Sequence, residues 1–129
     1  MVKAAKGKRP FDHERASFSG NTTPTGLIMS FLLAIIMVIA EQLAEPVDTS
    51  LFGGTVVPLG IAVHMICNIT AVVTYGLAGS LIVANLNPLI AIATATGPMA
   101  PLWFVTNSAA SFGARIVHFY WIRKDIRKM

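Results

Sequence analysis

A small set of polar side chains lies inside a long stretch of the chain that carries no formal charge. No Asp, Glu, Lys or Arg occurs at positions 49–114, between Asp48 and Arg115. The candidate ligand-binding residues in this stretch are amides, one imidazole and one indole: His64, Asn68, Asn85, Asn87, Trp103 and Asn107. Neutral hydrogen-bonding groups beside an aromatic wall suit a small polar or heteroaromatic solute better than a bare ion. One prediction is therefore a ligand pocket lined by these residues.

The same residues have a second interpretation. Asn and Thr side chains often form hydrogen bonds between membrane helices and so serve packing. A transporter would direct His64, Asn68, Asn85 and Asn107 into a common cavity. A scaffold subunit would instead bury each of them against a neighbouring helix or a partner chain. The direction of these side chains therefore separates the two interpretations.

No combination of residues indicates catalysis, a metal site or another cofactor. His64 and Cys67 have helical spacing, but two ligands are fewer than the three or four that protein metal sites use. The sequence has no Ser-His-Asp set, no phosphate-binding loop and no second cysteine. Glu41, Glu45 and Asp48 are assigned to a solvated loop, which argues against general acid–base catalysis by them. We therefore predict a protein that is not an enzyme.

The elements that position these residues are predicted to be membrane helices. The chain is 54% hydrophobic and 12% charged, whereas ordinary soluble domains are about 25% charged. A charge at the centre of a membrane helix costs about 2.5–3.5 kcal/mol on insertion scales. About 20 residues cross a hydrocarbon core of ~30 Å, so the neutral stretch accommodates three spans after a first apolar segment. A retained anchor explains that first segment better than a signal peptide, because no small-x-small cleavage site follows it.

The predicted fold is all-α: a polytopic membrane protein with a four-transmembrane-helix bundle. The helices are expected at residues 25–44, 56–74, 76–94 and 100–122. Pro46 is expected to end the first helix and to open a loop over residues 45–55. Tyr75 and Gly76 mark the next break, and Pro88 predicts that helix three is kinked.

The charges of the chain lie at its two ends. Residues 1–24 and 123–129 form polar, basic tails, whereas the loop at 45–55 is acidic. Since Lys and Arg are enriched on the cytoplasmic side of membranes, both termini are predicted to be cytoplasmic, with 25–122 as the transmembrane domain of a cell-membrane protein. The expected partners are the lipid bilayer and other integral membrane subunits, and no nucleic acid.

Rows of small residues predict where helices approach closely. One row lies on helix one and another on helix three: Gly26, Ser30 and Ala34, and Gly76 and Ser80. Such rows allow the backbones of two helices to come close together. The partner of each row is either a neighbouring helix of the same chain or another membrane subunit.

Two segments resemble a known family of membrane proteins. The first is Tyr75-Gly76-Leu77-Ala78-Gly79-Ser80, and the second is Gly97-Pro98-Met99-Ala100-Pro101-Leu102-Trp103-Phe104-Val105-Thr106-Asn107. Together with the acidic loop before them, they look like the substrate-binding S component of energy-coupling factor vitamin transporters. The resemblance covers roughly residues 25–128 and is partial, because S components usually have six helices. It implies capture of a vitamin-like solute and docking on a coupling subunit through the small-residue face of helix one.

Two functions are therefore expected. The first is a small, S-component-like membrane subunit that captures or transports a small polar or vitamin-like solute together with partner proteins. The alternative is a non-catalytic accessory or structural subunit of a larger membrane complex, such as an oxidoreductase, monooxygenase or energy-coupling assembly. Four short helices bury little surface on their own, so both functions require partner subunits.

Overall fold

The computed structural model describes residues 18–20, 22–53, 57–95 and 97–122. Most of the predicted tail at 1–24, and all of that at 123–129, lies outside these residues. Every regular element in the described part is a helix, which confirms the all-α class. The elements are α1 (Pro24–Phe52), α2 (Pro58–Thr74), α3 (Gly76–Ala93) and α4 (Ala100–Val117), which continues as a π-helical segment at His118–Ile122.

The first helix is longer than predicted. Thr23 caps its start, where the hydroxyl accepts a hydrogen bond from the backbone nitrogen of Gly26 at 3.2 Å. Gly53 ends the helix with a positive φ of 65°, a conformation that glycine adopts without a steric penalty. The prediction of a helix ending near residue 44, followed by a loop over 45–55, is wrong.

Pro46 lies inside α1 and does not end it. A proline in a helix interior removes one backbone hydrogen bond and crowds the preceding turn, which was the basis of the prediction. The helix nevertheless continues without interruption to Phe52. Beyond Pro46, the buried side chain of Asp48 contacts the start of α2.

The other helix boundaries agree with the sequence-based prediction. Tyr75 separates α2 from α3, and Gly76 begins α3 with a positive φ of 78°. α3 runs without interruption through Pro88, so this proline does not break the helix, while the kink stays a prediction. α4 begins at Ala100 with Pro101 in its first turn, where a proline costs little.

α3 is the central helix of the bundle. It packs against α1, α2 and α4, whereas α1 packs against α2 and α3. The predicted small-residue positions on α1 and α3 are all buried: Gly26, Ser30, Ala34, Gly76 and Ser80. A β-carbon added at Gly79 would lie 2.6 Å from Ser30 Oγ. Ser30 and Gly79 therefore let α1 and α3 approach closely within the chain, whereas Gly76 packs against Gly20, before α1 begins.

The outer surface of the bundle is apolar on every helix. Large hydrophobic side chains are exposed on each, for example Ile36, Ile66, Leu89 and Val105. α1 and α3 are long and apolar enough to cross a membrane, and α2 is apolar but shorter, with 17 residues. A subset of polar and charged side chains, in contrast, is buried between the helices: Ser30, Asp48, Asn68, Ser80, Asn85, Ser111 and Arg115.

Candidate functional site

The side chain of Glu41 joins three helices. Its Oε1 lies 3.0 Å from Nδ1 of His64 on α2, and its Oε2 accepts a hydrogen bond of 2.8 Å from Nδ2 of Asn87 on α3. The Glu41 side chain is 14% exposed and that of His64 is 20% exposed. Both oxygens of a largely buried carboxyl group are therefore held by side chains from two other helices.

The hydrogen bonding of Glu41 and His64 depends on one proton. An ionised carboxylate can only accept, so Nδ1 of His64 must then carry the hydrogen of the 3.0 Å contact. If the imidazole is also protonated at Nε2, the contact becomes an ion pair with no net charge. Asn87 donates to the other oxygen and cannot change its charge. The contact between Glu41 and His64 is therefore compatible with either a neutral or a protonated imidazole.

Glu41 was missed by the sequence-based prediction, which placed it in a solvated loop. Ala34, Glu41 and Asp48 are spaced by seven residues, and such spacing keeps them on one helical face. Ala34 and Asp48 are fully buried, and Glu41 lies between them on the same face of α1. The seven-residue spacing from Ala34 would have placed Glu41 on this face, and it reaches Asp48 only if the helix is read through Pro46.

Asp48 was assigned to the same loop, and this prediction is wrong as well. Its side chain is fully buried, and its two oxygens accept hydrogen bonds from the backbone nitrogens of Leu59 at 3.1 Å and Gly60 at 2.9 Å. These are two of the orphan donors at the start of α2. Pro58 has no N–H to satisfy, and the nitrogen of Ile61 donates to the carbonyl of Val57. Asp48 therefore completes the capping of α2 from a different helix.

Asn68 forms a second contact among three helices. Its Oδ1 accepts a 2.6 Å hydrogen bond from the hydroxyl of Ser80 on α3 and a 3.3 Å bond from that of Ser111 on α4. All three residues are buried. Buried polar groups in contact of this kind fix the register between helices, as the packing interpretation predicts.

The remaining asparagines bind α3 to α4. Asn85 Nδ2 donates to the hydroxyl of Ser108 at 3.1 Å and to its own helix at the carbonyl of Leu81. Asn107 Nδ2 donates to the carbonyl of Ala84 at 2.9 Å. Each amide is therefore engaged between two helices and not directed at a common centre.

A cavity of about 530 Å³ lies between α1, α3 and α4. Its lining is almost wholly apolar: Phe31, Leu81, Ile82, Asn85, Leu86, Leu89, Phe104, Ser108 and Phe112. Of the predicted ligand-binding residues only Asn85 lines it. Trp103, expected as an aromatic wall, is 49% exposed on α4. The structure does not bring the predicted residues into one pocket, and their binding of a ligand stays a prediction.

Arg115 is buried near the ends of α2 and α4. Its guanidinium donates to the carbonyls of Phe18 at 2.9 Å and Val72 at 3.1 Å, and it lies 3.0 Å from Nδ1 of His118. Because a guanidinium only donates, His118 accepts through Nδ1 and is neutral at that atom. A positive charge beside the carbonyl end of α2 is also favoured by the helix dipole.

No group of three or more His, Cys, Asp or Glu side chains able to hold a metal ion occurs in the described ranges of the chain. The groups around Glu41 are the place in the described residues where a carboxyl group and an imidazole meet. Comparisons of the chain with protein-family models, with curated proteins and with solved structures find no match.

Proposed function

We propose that the chain is a small integral membrane subunit, without catalysis of its own, that assembles with partner membrane proteins into a larger complex. The observation that carries this proposal is the use of its polar side chains. Those of Asn68, Asn85, Asn87 and Asn107 are engaged between its own helices. That is the arrangement expected of a scaffold subunit and not of a solute carrier.

The proposal includes four membrane spans. At ~1.5 Å per residue, helices of this kind match a hydrocarbon core of ~30 Å, and α1 exceeds it. Large hydrophobic side chains cover the outside of each helix, which water would not favour but lipid or partner helices would. Most buried polar side chains find partners inside the bundle, as the absence of water in a bilayer favours, although Oδ1 of Asn85 has no partner among the described residues.

The proposed topology has both termini on the cytoplasmic side. Phe18 packs edge-on against Phe119, with ring centroids 5.6 Å apart, so the two ends of the described chain lie at the same end of the bundle. Tyr120 and Trp121 are exposed there, as residues of an aromatic belt would be. The basic residues of one tail come before Phe18 in the sequence and those of the other come after Trp121, and both sets favour the cytoplasm.

The need for partners follows from the small interior. The buried hydrophobic core consists largely of alanine and valine, with Met37 as its largest fully buried side chain. Between α1, α3 and α4 the bundle has an apolar cavity that is open to the outside and that its own side chains do not fill. Helices of other subunits would bury more of this surface than the chain buries alone.

The S-component-like function remains the competing proposal. It requires a polar solute pocket, whereas the cavity between α1, α3 and α4 offers one amide and one hydroxyl among phenylalanine and leucine side chains. It also requires that the small-residue face of α1 be available for docking, but Gly26, Ser30 and Ala34 are buried against the rest of the chain. Both observations favour the accessory subunit.

Purification from native membranes in a mild detergent tests the proposal. The tagged chain should co-purify with a reproducible set of membrane proteins in fixed ratio, identified by mass spectrometry of the eluted complex. A parallel purification from membranes that express the tag on an unrelated membrane protein is the control. Elution of the chain with a stoichiometric vitamin-like compound and no protein partner would contradict the proposal and support solute capture.

A further inference from the structure

Glu41 is a carboxyl group far from either end of its helix. At ~1.5 Å per residue it lies about 25 Å along α1 from Pro24 and about 16 Å from Phe52. Its partners His64 and Asn87 both belong to the stretch 49–114, which has no Lys or Arg. In the described ranges no basic residue other than His64 contacts Glu41. On the proposed membrane location, this carboxyl group lies in the hydrocarbon region.

The titratable groups around Glu41 are few. On α2 they are His64 and Cys67, whose half-buried thiol is close enough for electrostatic interaction with Glu41. On α3 the contacting group is the amide of Asn87, which does not titrate. On α1 itself the nearest acidic side chain, Glu45, is exposed on the turn that follows. The charge at this site is therefore decided mainly by Glu41 and His64.

An ionised Glu41 beside a neutral His64 needs one more positive charge to be neutral. A carboxylate beside a neutral imidazole has a net charge of −1, and an isolated charge is strongly disfavoured in an apolar medium. One added proton makes the pair neutral, either as an imidazolium–carboxylate ion pair or as a protonated carboxyl beside a neutral imidazole. Nε2 of His64 has no hydrogen-bond partner among the described residues, so the proton can bind there without breaking the contacts of Glu41.

We infer that Glu41, His64 and Asn87 form a proton-binding site inside the membrane-spanning bundle. Glu41 and His64 share the proton, and Asn87 holds the second carboxyl oxygen in position from α3. A metal ion does not suit the site, because it offers one carboxylate and one imidazole and the described residues contain no larger ligand group. The inference rests on the proposed membrane location but not on the proposed assembly with partner subunits.

Labelling with N,N′-dicyclohexylcarbodiimide tests the inference. This apolar reagent partitions into lipid and modifies carboxyl groups only in their protonated form. The wild-type chain in lipid nanodiscs is treated over a range of pH, and the modified residue is identified by peptide mass spectrometry. We expect one adduct, on Glu41, that becomes more abundant as the pH falls. Because the site is read in the wild-type chain, this result does not depend on a variant that folds.

Three variants complete the test. Glu41→Gln should lose the adduct, whereas Glu45→Gln, an exposed carboxyl four residues later on α1, should keep it. His64→Gln removes the imidazole that shares the proton, so the carboxyl group must hold it alone. The yield of the Glu41 adduct should be higher in that variant than in the wild-type chain under the same conditions.

An adduct on Glu45 or Asp48, or an adduct yield that does not depend on pH, would overturn the inference. So would a Glu41 that stays unmodified at acidic pH in both the wild-type chain and His64→Gln, because its carboxylate would then be permanently ionised. These outcomes are independent of the co-purification experiment. The chain can fail to label and still bring down its partners, and it can label without them.

Discussion

Asp48 and Glu41 are acidic residues on the same face of α1, two helical turns apart, and they have different environments. Asp48 is fully buried and accepts hydrogen bonds from two backbone nitrogens at the start of α2. Glu41 is slightly more exposed and is held by the side chains of His64 and Asn87. One carboxylate faces donors that cannot titrate, and the other faces an imidazole that can.

The difference shows how the same chemical group serves two purposes in one helix. Backbone N–H groups at a helix start keep their hydrogens and present the positive end of the helix dipole. They therefore compensate the charge of Asp48 whether or not other side chains carry a proton. The charge of Glu41 is compensated only while His64 or the carboxyl group itself carries the extra proton. Asp48 anchors the start of α2, and Glu41 belongs to the proton-binding site that we propose.

The largest expected effect comes from removing the anchor. Asp48→Ala leaves the nitrogens of Leu59 and Gly60 without acceptors, which should lower the free energy of unfolding by about 3 kcal/mol. Circular dichroism during SDS titration of the chain in mixed micelles measures this loss. The control, Glu45→Ala, changes an exposed carboxyl on the same helix and should stay within about 0.5 kcal/mol of the wild type. Equal stability of Asp48→Ala and Glu45→Ala would contradict the anchoring role of Asp48.

Separation of α1 from α3 should have the second largest effect. A β-carbon at Gly79 would overlap Cβ of Tyr75 and would lie 2.6 Å from Ser30 Oγ, so Gly79→Ala must displace both. Such overpacking should cost about 2 kcal/mol. It should also weaken the contact of Glu41 with Asn87 more than that of Asp48 with α2.

Gly113→Ala is the matched control, because a β-carbon there meets nothing within 4 Å. The same titration should find this variant as stable as the wild type or slightly more so, since alanine favours helices by up to about 1 kcal/mol. If Gly79→Ala is equally well tolerated, the close approach of α1 and α3 is not required for stability.

Asn87→Ala tests the neutral donor at Glu41. Loss of its single 2.8 Å hydrogen bond should cost about 1 kcal/mol in the free energy of unfolding. The ionised carboxylate loses a donor, so carbodiimide labelling of Glu41 should increase at a given pH. Thr70→Ala, at an exposed hydroxyl that bonds to its own helix, should leave labelling unchanged. A labelling yield that does not respond to Asn87→Ala would show that the amide does not influence the proton.

Apart from the control variants, Glu41→Gln should have the smallest effect on stability. Glutamine can accept from Asn87 and donate to a neutral imidazole, so the change in the free energy of unfolding should stay below about 1 kcal/mol. Asp48→Asn should be more costly, because an amide has one acceptor oxygen for two backbone donors and turns its NH2 group toward one of them. If Glu41→Gln destabilises the chain as much as Asp48→Asn, the two carboxylates do not differ as described.

Part of the site was visible in the sequence. His64, Asn68, Asn85, Asn87 and Asn107 were singled out because polar groups in an apolar stretch need partners, and each of them has one. The sequence did not show that these residues would belong to separate contacts and not to one pocket. A hydrogen bond between residues 23 or 46 positions apart depends on how helices are oriented, and no local pattern encodes that orientation.

The helical class, the boundaries of α2 and α3 and the apolar exterior could be predicted from the sequence alone. They depend on hydropathy, on glycine and proline at breaks and on the absence of charge, which are properties of neighbouring residues. Only the tertiary structure decided that α1 continues through Pro46 and that Glu41 and Asp48 turn inward. The reason is physical: a carboxylate inside a bundle is unfavourable in isolation, and the donors that compensate Glu41 and Asp48 come from α2 and α3.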